Sequence, residues 1–356
     1  MEQAAIFTNC QPKTYALLKG RCALLVKRLL LLTLFLFLIC AFASYLSAYL
    51  LYFVMWVPTI NILLICIKRV KHLSEESEFR FTSLGCYLLV PALIVFAGSL
   101  NNNHPQIKEL SIEIPRKSST INELRMIYAS DFHLGRDDYR ILDRFIAKVN
   151  AVHPDIILIG GDLLGGRGEP DLGKLKMQFR ALQAKYGTYA VLGNHDVRRI
   201  GQRFEPWIGR DFLGESGMKL LADDVQKING AFYLAGRNCE RPIKPIDELL
   251  KDCSDDLPVF LLDHYPPDPR SSRQNRFYLQ LSGHTHNGQL FPINLVSRLE
   301  YELAYGTKAI GNSLFVVSSG VHYSDPPVNT QGYSETLFIK AVFRSDIGAP
   351  RICNLP

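Results

Sequence analysis

Five histidines, three aspartates and one asparagine recur in this sequence in short polar turns, each directly after an apolar run. Asp131-Phe-His133 follows Arg125-Met-Ile-Tyr-Ala-Ser130, and Gly161-Asp162 follows Ile156-Ile-Leu-Ile159. Gly193-Asn-His-Asp196 follows Thr188-Tyr-Ala-Val-Leu192, His264 follows Pro258-Val-Phe-Leu-Leu262, and Gly283-His-Thr-His286 follows Phe277-Tyr-Leu-Gln-Leu281. Singly, each is ambiguous. An Asp after a strand is commonly a turn former or helix cap, Gly-Asp is a common turn, and a lone His264 is commonly structural. Two histidines at i and i+2 in a turn are a stronger sign of metal. Together the residues match a mixed nitrogen and oxygen site for divalent metal. Their number exceeds the four ligands that one zinc ion needs. It suits two ions sharing a bridging carboxylate, which clamp the attacking and leaving oxygens of an in-line phosphoryl displacement. No cysteine belongs to the set, which excludes iron–sulfur and soft-metal chemistry. There is no H-E-x-x-H helix of a metallopeptidase.

The elements that must position these residues alternate. Tyr139 to Val149 has apolar residues at Ile141, Leu142, Phe145, Ile146 and Val149, the spacing of one helix face, and Leu172 to Tyr186 reads as a second helix. Later strands are expected at 314–317 and 336–342. The β-α-β-α-β order predicts an α/β fold with parallel strands and helical crossovers. In such sheets, ligands collect beyond the carboxyl ends of the strands, where Asp131, Asp162, Asn194, His264 and His284 all fall.

In this order and spacing, the five blocks resemble the calcineurin-like metallophosphoesterases, over about Leu124 to Phe343. The flanking text, Ser130-Asp-Phe-His-Leu-Gly135 and Ser282-Gly-His-Thr-His-Asn-Gly-Gln289, is similar to the membrane-associated bacterial YkuE/YaeI-like subgroup. That subgroup in turn resembles hydrolases that split the pyrophosphate of UDP-diacylglucosamine. The resemblance implies a four-layer αββα sandwich over 121–356 with two metals at its rim. Asp131, His133 and His286 would hold the first metal and Asn194, His264 and His284 the second, with Asp162 bridging. His195 would be the general acid, oriented by Asp196. The reaction implied is attack of metal-activated hydroxide on phosphorus. The ions are expected to be Mn²⁺, with Fe or Zn as alternatives. One departure stands out: relatives often carry Arg after Pro-Pro-Val in a late loop, where Pro326-Pro-Val-Asn329 has Asn.

The first third of the chain differs in kind. Leu29 to Ile67 and Leu84 to Leu100 contain no Asp, Glu, Lys, Arg or His. A helix over the first run would be about 58 Å long against a hydrocarbon core of about 30 Å. Two spans, 29–46 and 48–67, are therefore expected, with a turn at Ser44-Tyr-Leu-Ser47. A third span is expected at 84–100, preceded by a basic segment 1–28 and followed by a linker 101–120. Lys13, Lys19, Arg21, Lys27 and Arg28, then Lys68, Arg69, Lys71 and Arg80, hold both flanking segments in the cytoplasm by the positive-inside rule. A crossing by 84–100 then makes this an integral protein of the cell membrane with an extracytoplasmic catalytic domain; if that segment only lies in the interface, the domain is cytoplasmic. A cleavable signal peptide ending at Ala41-Phe-Ala43 fits poorly, because the apolar run continues well past it.

These basic residues account for much of the net charge of +6, and no basic cluster interleaved with aromatics follows. Nucleic acid is not an expected partner. Of eight cysteines, only Cys239, Cys253 and Cys353 lie past residue 100, without C-x-x-C spacing, so no disulfide framework is expected. A transport protein would carry charged groups in its spans, and a non-catalytic sensor would have lost ligands; neither holds here. The expected substrate is a phosphorylated lipid or small molecule, with the bilayer itself as a partner. The alternative is a soluble nucleotide substrate, the helices serving only as anchor.

Overall fold

In the computed structural model, Asp131 and the later polar turns sit where two β-sheets end side by side. The structure describes residues 43–71, 76–101, 105–197, 207–239, 244–267 and 275–353 of the chain. Contacts divide it into two units, Met1–Ser99 and Leu100–Pro356.

The first unit contains helix α1 (Ala43–Lys71), with Pro58 inside it, and most of α2 (Glu76–Asn101), with Pro91 inside. The turn expected at Ser44–Ser47 is instead part of α1. Neither Gly nor Pro interrupts that stretch, and serine in an apolar helix can return its hydroxyl to a backbone carbonyl one turn back. The expected span 29–46 lies outside the described residues up to Phe42. Among the described residues, one helical stretch, Tyr45–Ile62, is long and apolar enough to cross a membrane, and a shorter apolar helix covers Cys86–Asn101.

The second unit begins with β1 (Gln106–Pro115), β2 (Glu123–Ala129), α3 (Tyr139–Ala151), β3 (Ile156–Ile159), α4 (Leu172–Phe179), β4 (Thr188–Ala190), α5 (Trp207–Glu215) and β5 (Met218–Leu220). There follow β6 (Asp224–Ile228), β7 (Phe232–Gly236), α6 (Ile246–Leu249), β8 (Val259–Leu262), β9 (Leu279–Ser282), α7 (Ile293–Glu300), β10 (Gly306–Ile310), β11 (Ser313–Val317), β12 (Glu335–Arg344) and β13 (Arg351–Ile352). One sheet has the order β13-β1-β12-β2-β3-β4-β5 and the other β10-β11-β9-β8-β7-β6. The run β2-β3-β4-β5 is parallel, as the alternating pattern requires. All four residues of β3 are buried, the mark of a strand covered on both faces.

Three apolar clusters separate the layers. Leu124, Met126, Tyr128 and Leu158 meet Leu234, Phe260, Leu279 and Leu314 between the sheets. Ile127, Ile157 and Ile159 face Leu142, Phe145, Phe179 and Phe212 of α3, α4 and α5. Leu249 and Leu250 cover Val259, Leu261 and Phe315 on the far side. The sequence of layers is helix, sheet, sheet, helix. The α3 face at Leu142, Phe145, Ile146 and Val149 is buried, and Phe145 meets Phe132 edge-on at 4.9 Å between centroids. Phe145→Ala is expected to cost about 3–5 kcal/mol in urea unfolding of the detergent-solubilised protein, since the cavity lies under the first polar turn.

Two expectations are corrected here. The stretch 101–120 is not a linker, for it contains β1, whose ten residues pair in parallel with β12. Its alternation is masked by exposed Lys108 and Glu109 at the start of the strand. The helix expected to run to Tyr186 stops at Phe179. Asn150 on α3 intervenes, donating from its amide to the Ala181 carbonyl and accepting from the Gln183 N–H. Strands β6 and β10 are edges with mixed polarity, held by partner pairing rather than by pattern.

Candidate metal centre

Each polar turn leaves its strand at the carboxyl end. β2, β3 and β4 are neighbours in one sheet and β8 and β9 in the other, so their exits share one rim. Hydrogen bonds sew the two rims together. The His284 N–H donates to both Asp131 carboxylate oxygens, at 3.0 and 3.2 Å, and His264 Nδ1–H donates to the Gly160 carbonyl at 2.8 Å. That second bond anchors the ring through Nδ1 and turns Nε2 inward, toward Asp162 and Asn194.

The backbone is bent sharply to aim these side chains. Asp131, His133, Asp162, His284 and His286 all have positive φ, between 41° and 72°. A non-glycine residue in that region carries strain that the surrounding structure must hold, and such strain concentrates at functional sites. Two glycines permit the close approach. A Cβ on Gly193 would collide with Asp162 Oδ1, and one on Gly283 with Asp131 Oδ2.

Three groups of side chains gather: Asp131, His133 and His286; His133, Asp162 and His195; and Asp162, His264 and His284, the ligating atoms of each lying within 4.8 Å of one another. His133 Nε2 and His286 Nε2 are 3.0 Å apart, and His286 Nε2 lies 3.6 Å from Asp131 Oδ1. Asp162 Oδ2 lies 3.4 Å from His264 Nε2 and 3.7 Å from His133 Nε2. Asn194 Oδ1 lies 3.1 Å from His264 Nε2. Ligands about 2.0–2.2 Å from an ion stand roughly 3.0–3.6 Å from each other, so these spacings fit the edges of a coordination shell. The donor set fits divalent metal.

Electrostatics point the same way. Burial, then the neighbouring His286, holds His133 well below the usual histidine range. Burial and His264 push His284 down to about 4. Neutral imidazoles are the ligating form. Burial would raise Asp162, but His264 and His133 outweigh it and hold the carboxyl below its usual value. Burial would lower His264, but Asp162 outweighs it and lifts it to about 9. Asp162 therefore favours positive charge at its carboxylate.

His195 is the second residue of a helical turn that begins at Asn194, and its backbone N–H donates to Asp162 Oδ1 at 2.8 Å. Its ring stands edge-on to His133, with centroids 4.7 Å apart. Asp196 is buried and accepts from the backbone N–H groups of Leu164 and Gly193, at 2.9 and 3.0 Å. Burial, then the charge of Asp162, raises it to about 7. Asp196 thus braces two loops at the rim, and its bonds run to backbone rather than to the His195 ring. Asn194, His195 and His284 are half-exposed, while Asp131, His133, Asp162, His264 and His286 are buried, so the open side of the cluster carries the first three.

Neighbours of the cluster had no motif to reveal them. The Tyr265 ring lies 4.6 Å from that of His284. Asp263, paired with Arg237 at 2.6 Å, accepts from the Tyr265 N–H and steadies the β8 exit. His322 is buried against the Phe132 carbonyl, its N–H donating to the Asp131 carbonyl. Only adjacency to His264 in sequence pointed toward Tyr265 and Asp263. Asn329 is buried and accepts from the Gln331 N–H, a loop-forming contact.

The calcineurin-like phosphoesterase family model matches residues 124–288. A metallophosphoesterase of Aquifex aeolicus is 31% identical over 222 residues, covering 58% of this chain and 80% of that one. A zebrafish transmembrane protein with a metallophosphoesterase domain is 29% identical over 284 residues, covering 73% of this chain and 62% of that one. The UDP-2,3-diacylglucosamine pyrophosphatase of Chlamydia muridarum is 28% identical over 135 residues, covering 37% and 39%. With ordered metal-ligand residues at converging strand ends, and these relatives, the chain belongs to the calcineurin-like metallophosphoesterases, hydrolases that act on phosphate esters.

Proposed function

We propose that this protein is a membrane-anchored phosphoesterase that uses two divalent ions, manganese favoured, to split a phosphate ester or pyrophosphate bond in a lipid or lipid-linked substrate. The observation that carries the two-ion reading is Asp162, whose Oδ2 stands between His264 Nε2 at 3.4 Å and His133 Nε2 at 3.7 Å. On this reading Asp131, His133 and His286 would hold one ion, Asn194, His264 and His284 would hold the other, and Asp162 would be shared. When bound, the ions lower the pKa of the attacking water and offset charge on the phosphoryl oxygens.

The chain's own residues do the rest. His195 is half-exposed on the open side, where its imidazole would supply the proton for the leaving oxygen. Asp196 holds the His195 turn against the Leu164 loop, and the His195 backbone N–H ties that turn to Asp162. The buried side of the cluster keeps bulk water off the ligands, and the half-exposed side admits substrate.

A lipid substrate is supported by the apolar helices and by the relatives named as a transmembrane protein and a diacylglucosamine pyrophosphatase. An anchor raises the local concentration of anything in the bilayer. Metal-loaded, detergent-purified protein is expected to show kcat/KM at least about tenfold higher on a lipid pyrophosphate or phospholipid than on nucleotides. A preference for nucleotides would sink the lipid assignment.

The catalytic domain is proposed to face outward, because Lys68, Arg69, Lys71 and Arg80 precede the apolar stretch Cys86–Asn101. Alkaline phosphatase joined after Asn103 should then be active, and joined after His72 silent. Activity in the reverse order would put the site in the cytoplasm.

A further inference from the structure

Helix α7 inverts the usual order of a surface helix. Asn294 is on its inward side, 7% exposed, with Oδ1 unpartnered, whereas Ile293, Leu295, Val296 and Leu299 are 43, 48, 60 and 89% exposed. Phe291, just before the helix, adds another exposed apolar side chain. Single exposed apolar residues need no explanation, but five within nine positions form a face that water disfavours. Near the C-terminal end, Arg298 and Glu300 are exposed beside them, the pattern of a helix lying in an interface.

The helix is rooted in the metal turn. It follows His286 closely in the chain, and Gly288 packs so tightly on Asn294 that a Cβ there would collide with it. Tyr301, at the C-terminal end of α7, has its ring 6.2 Å from that of His284. The Phe291 N–H donates to Thr330 Oγ1 at 2.9 Å, tying the start of the helix to the late loop. Only residues 102–105 separate α2 from β1 in the chain, a tether of roughly 14 Å at full extension should α2 be held in a bilayer.

We propose that the exposed face of α7 inserts into the interfacial layer of the lipid bilayer, a second membrane contact that sets the His284 and His286 turn at headgroup level. This rests on the membrane-anchored reading above. It adds a reason for lipid selectivity, since a phosphoryl group at headgroup depth meets the half-exposed side of the cluster without leaving the bilayer.

The natural tryptophans, Trp56 in α1 and Trp207 in α5, make a depth test possible. Full-length protein lacking both (Trp56→Phe, Trp207→Phe) and carrying Val296→Trp, or separately Leu299→Trp, is reconstituted into phosphatidylcholine–phosphatidylglycerol vesicles. Both positions are exposed enough to accept indole. Acyl-chain-brominated phosphatidylcholine is expected to quench each at least about twofold, with emission shifted to shorter wavelength. Unquenched emission at both positions overturns the proposal. That includes emission that is blue-shifted but unquenched, which would mean a second copy of the chain covers the face. Trp207→Phe protein, in which Trp56 remains, reports the anchor separately. Quenching of Trp56 alone removes the α7 contact and leaves the anchor standing, whereas no quenching at 56, 296 or 299 removes both.

Discussion

Asp162→Ala should strip both ions from the protein, and hydrolysis should fall to background. Asp162 Oδ2 lies within 3.7 Å of ring nitrogens from both histidine groups, and its Oδ1 also accepts the His195 N–H. On the proposed assignment, removing the carboxylate would take a shared ligand from each ion at once and loosen the turn that carries His195. Outer partners of metal ligands cost about 10–100-fold in metal affinity when mutated, so a shared direct ligand should cost more than about 100-fold at each position. Elemental analysis after gel filtration in low metal measures it, with circular dichroism to verify the fold. Two ions still tightly bound per chain would refute the bridging role. Loss of one ion alone would place Asp162 at a single site.

The second large effect separates an acid from a ligand. His195→Ala is expected to retain both ions and lose about 10²–10⁴ in kcat, the usual span for general acid catalysis. The loss should be steepest for alkyl leaving groups, which need a proton, and shallow for p-nitrophenol, which does not. His284→Ala should lose metal along with rate for every leaving group. The contrast matters because His195 also reaches into the cluster, in one group with His133 and Asp162. If His195→Ala sheds metal as readily as His284→Ala, then His195 is a ligand and another group must protonate the leaving oxygen.

Much of this is legible in the sequence. Residue type and position at the ends of apolar runs marked Asp131, Asp162, Asn194, His264 and His284, because a buried strand must stop where a polar turn begins. Of the α3 face that helical spacing gives, Leu142, Phe145, Ile146 and Val149 are buried, whereas Ile141 is only half-buried. Other features were illegible for physical reasons. β1 pairs with β12, more than two hundred residues later in the chain, and no local pattern announces such a partner. The end of α4 is set by the Asn150 side chain on a different helix. The continuity of α1 through Ser44–Ser47 reflects the absence there of any residue that breaks a helix, which outweighs the weak polarity that suggests a turn.

The sequence by itself determined which side chains could do chemistry, and that each would stand at a strand end, since those properties depend on residue type and on neighbours a few positions away. Only the tertiary structure decided that two sheets would stop at one rim. There the Asp131 carboxylate accepts from the backbone of His284, and a glycine at 283 lets the two chains pass. The geometry that puts Asp162 between two histidine groups is set by burial of the apolar clusters between and outside the sheets, a long-range packing result that no short stretch of sequence encodes.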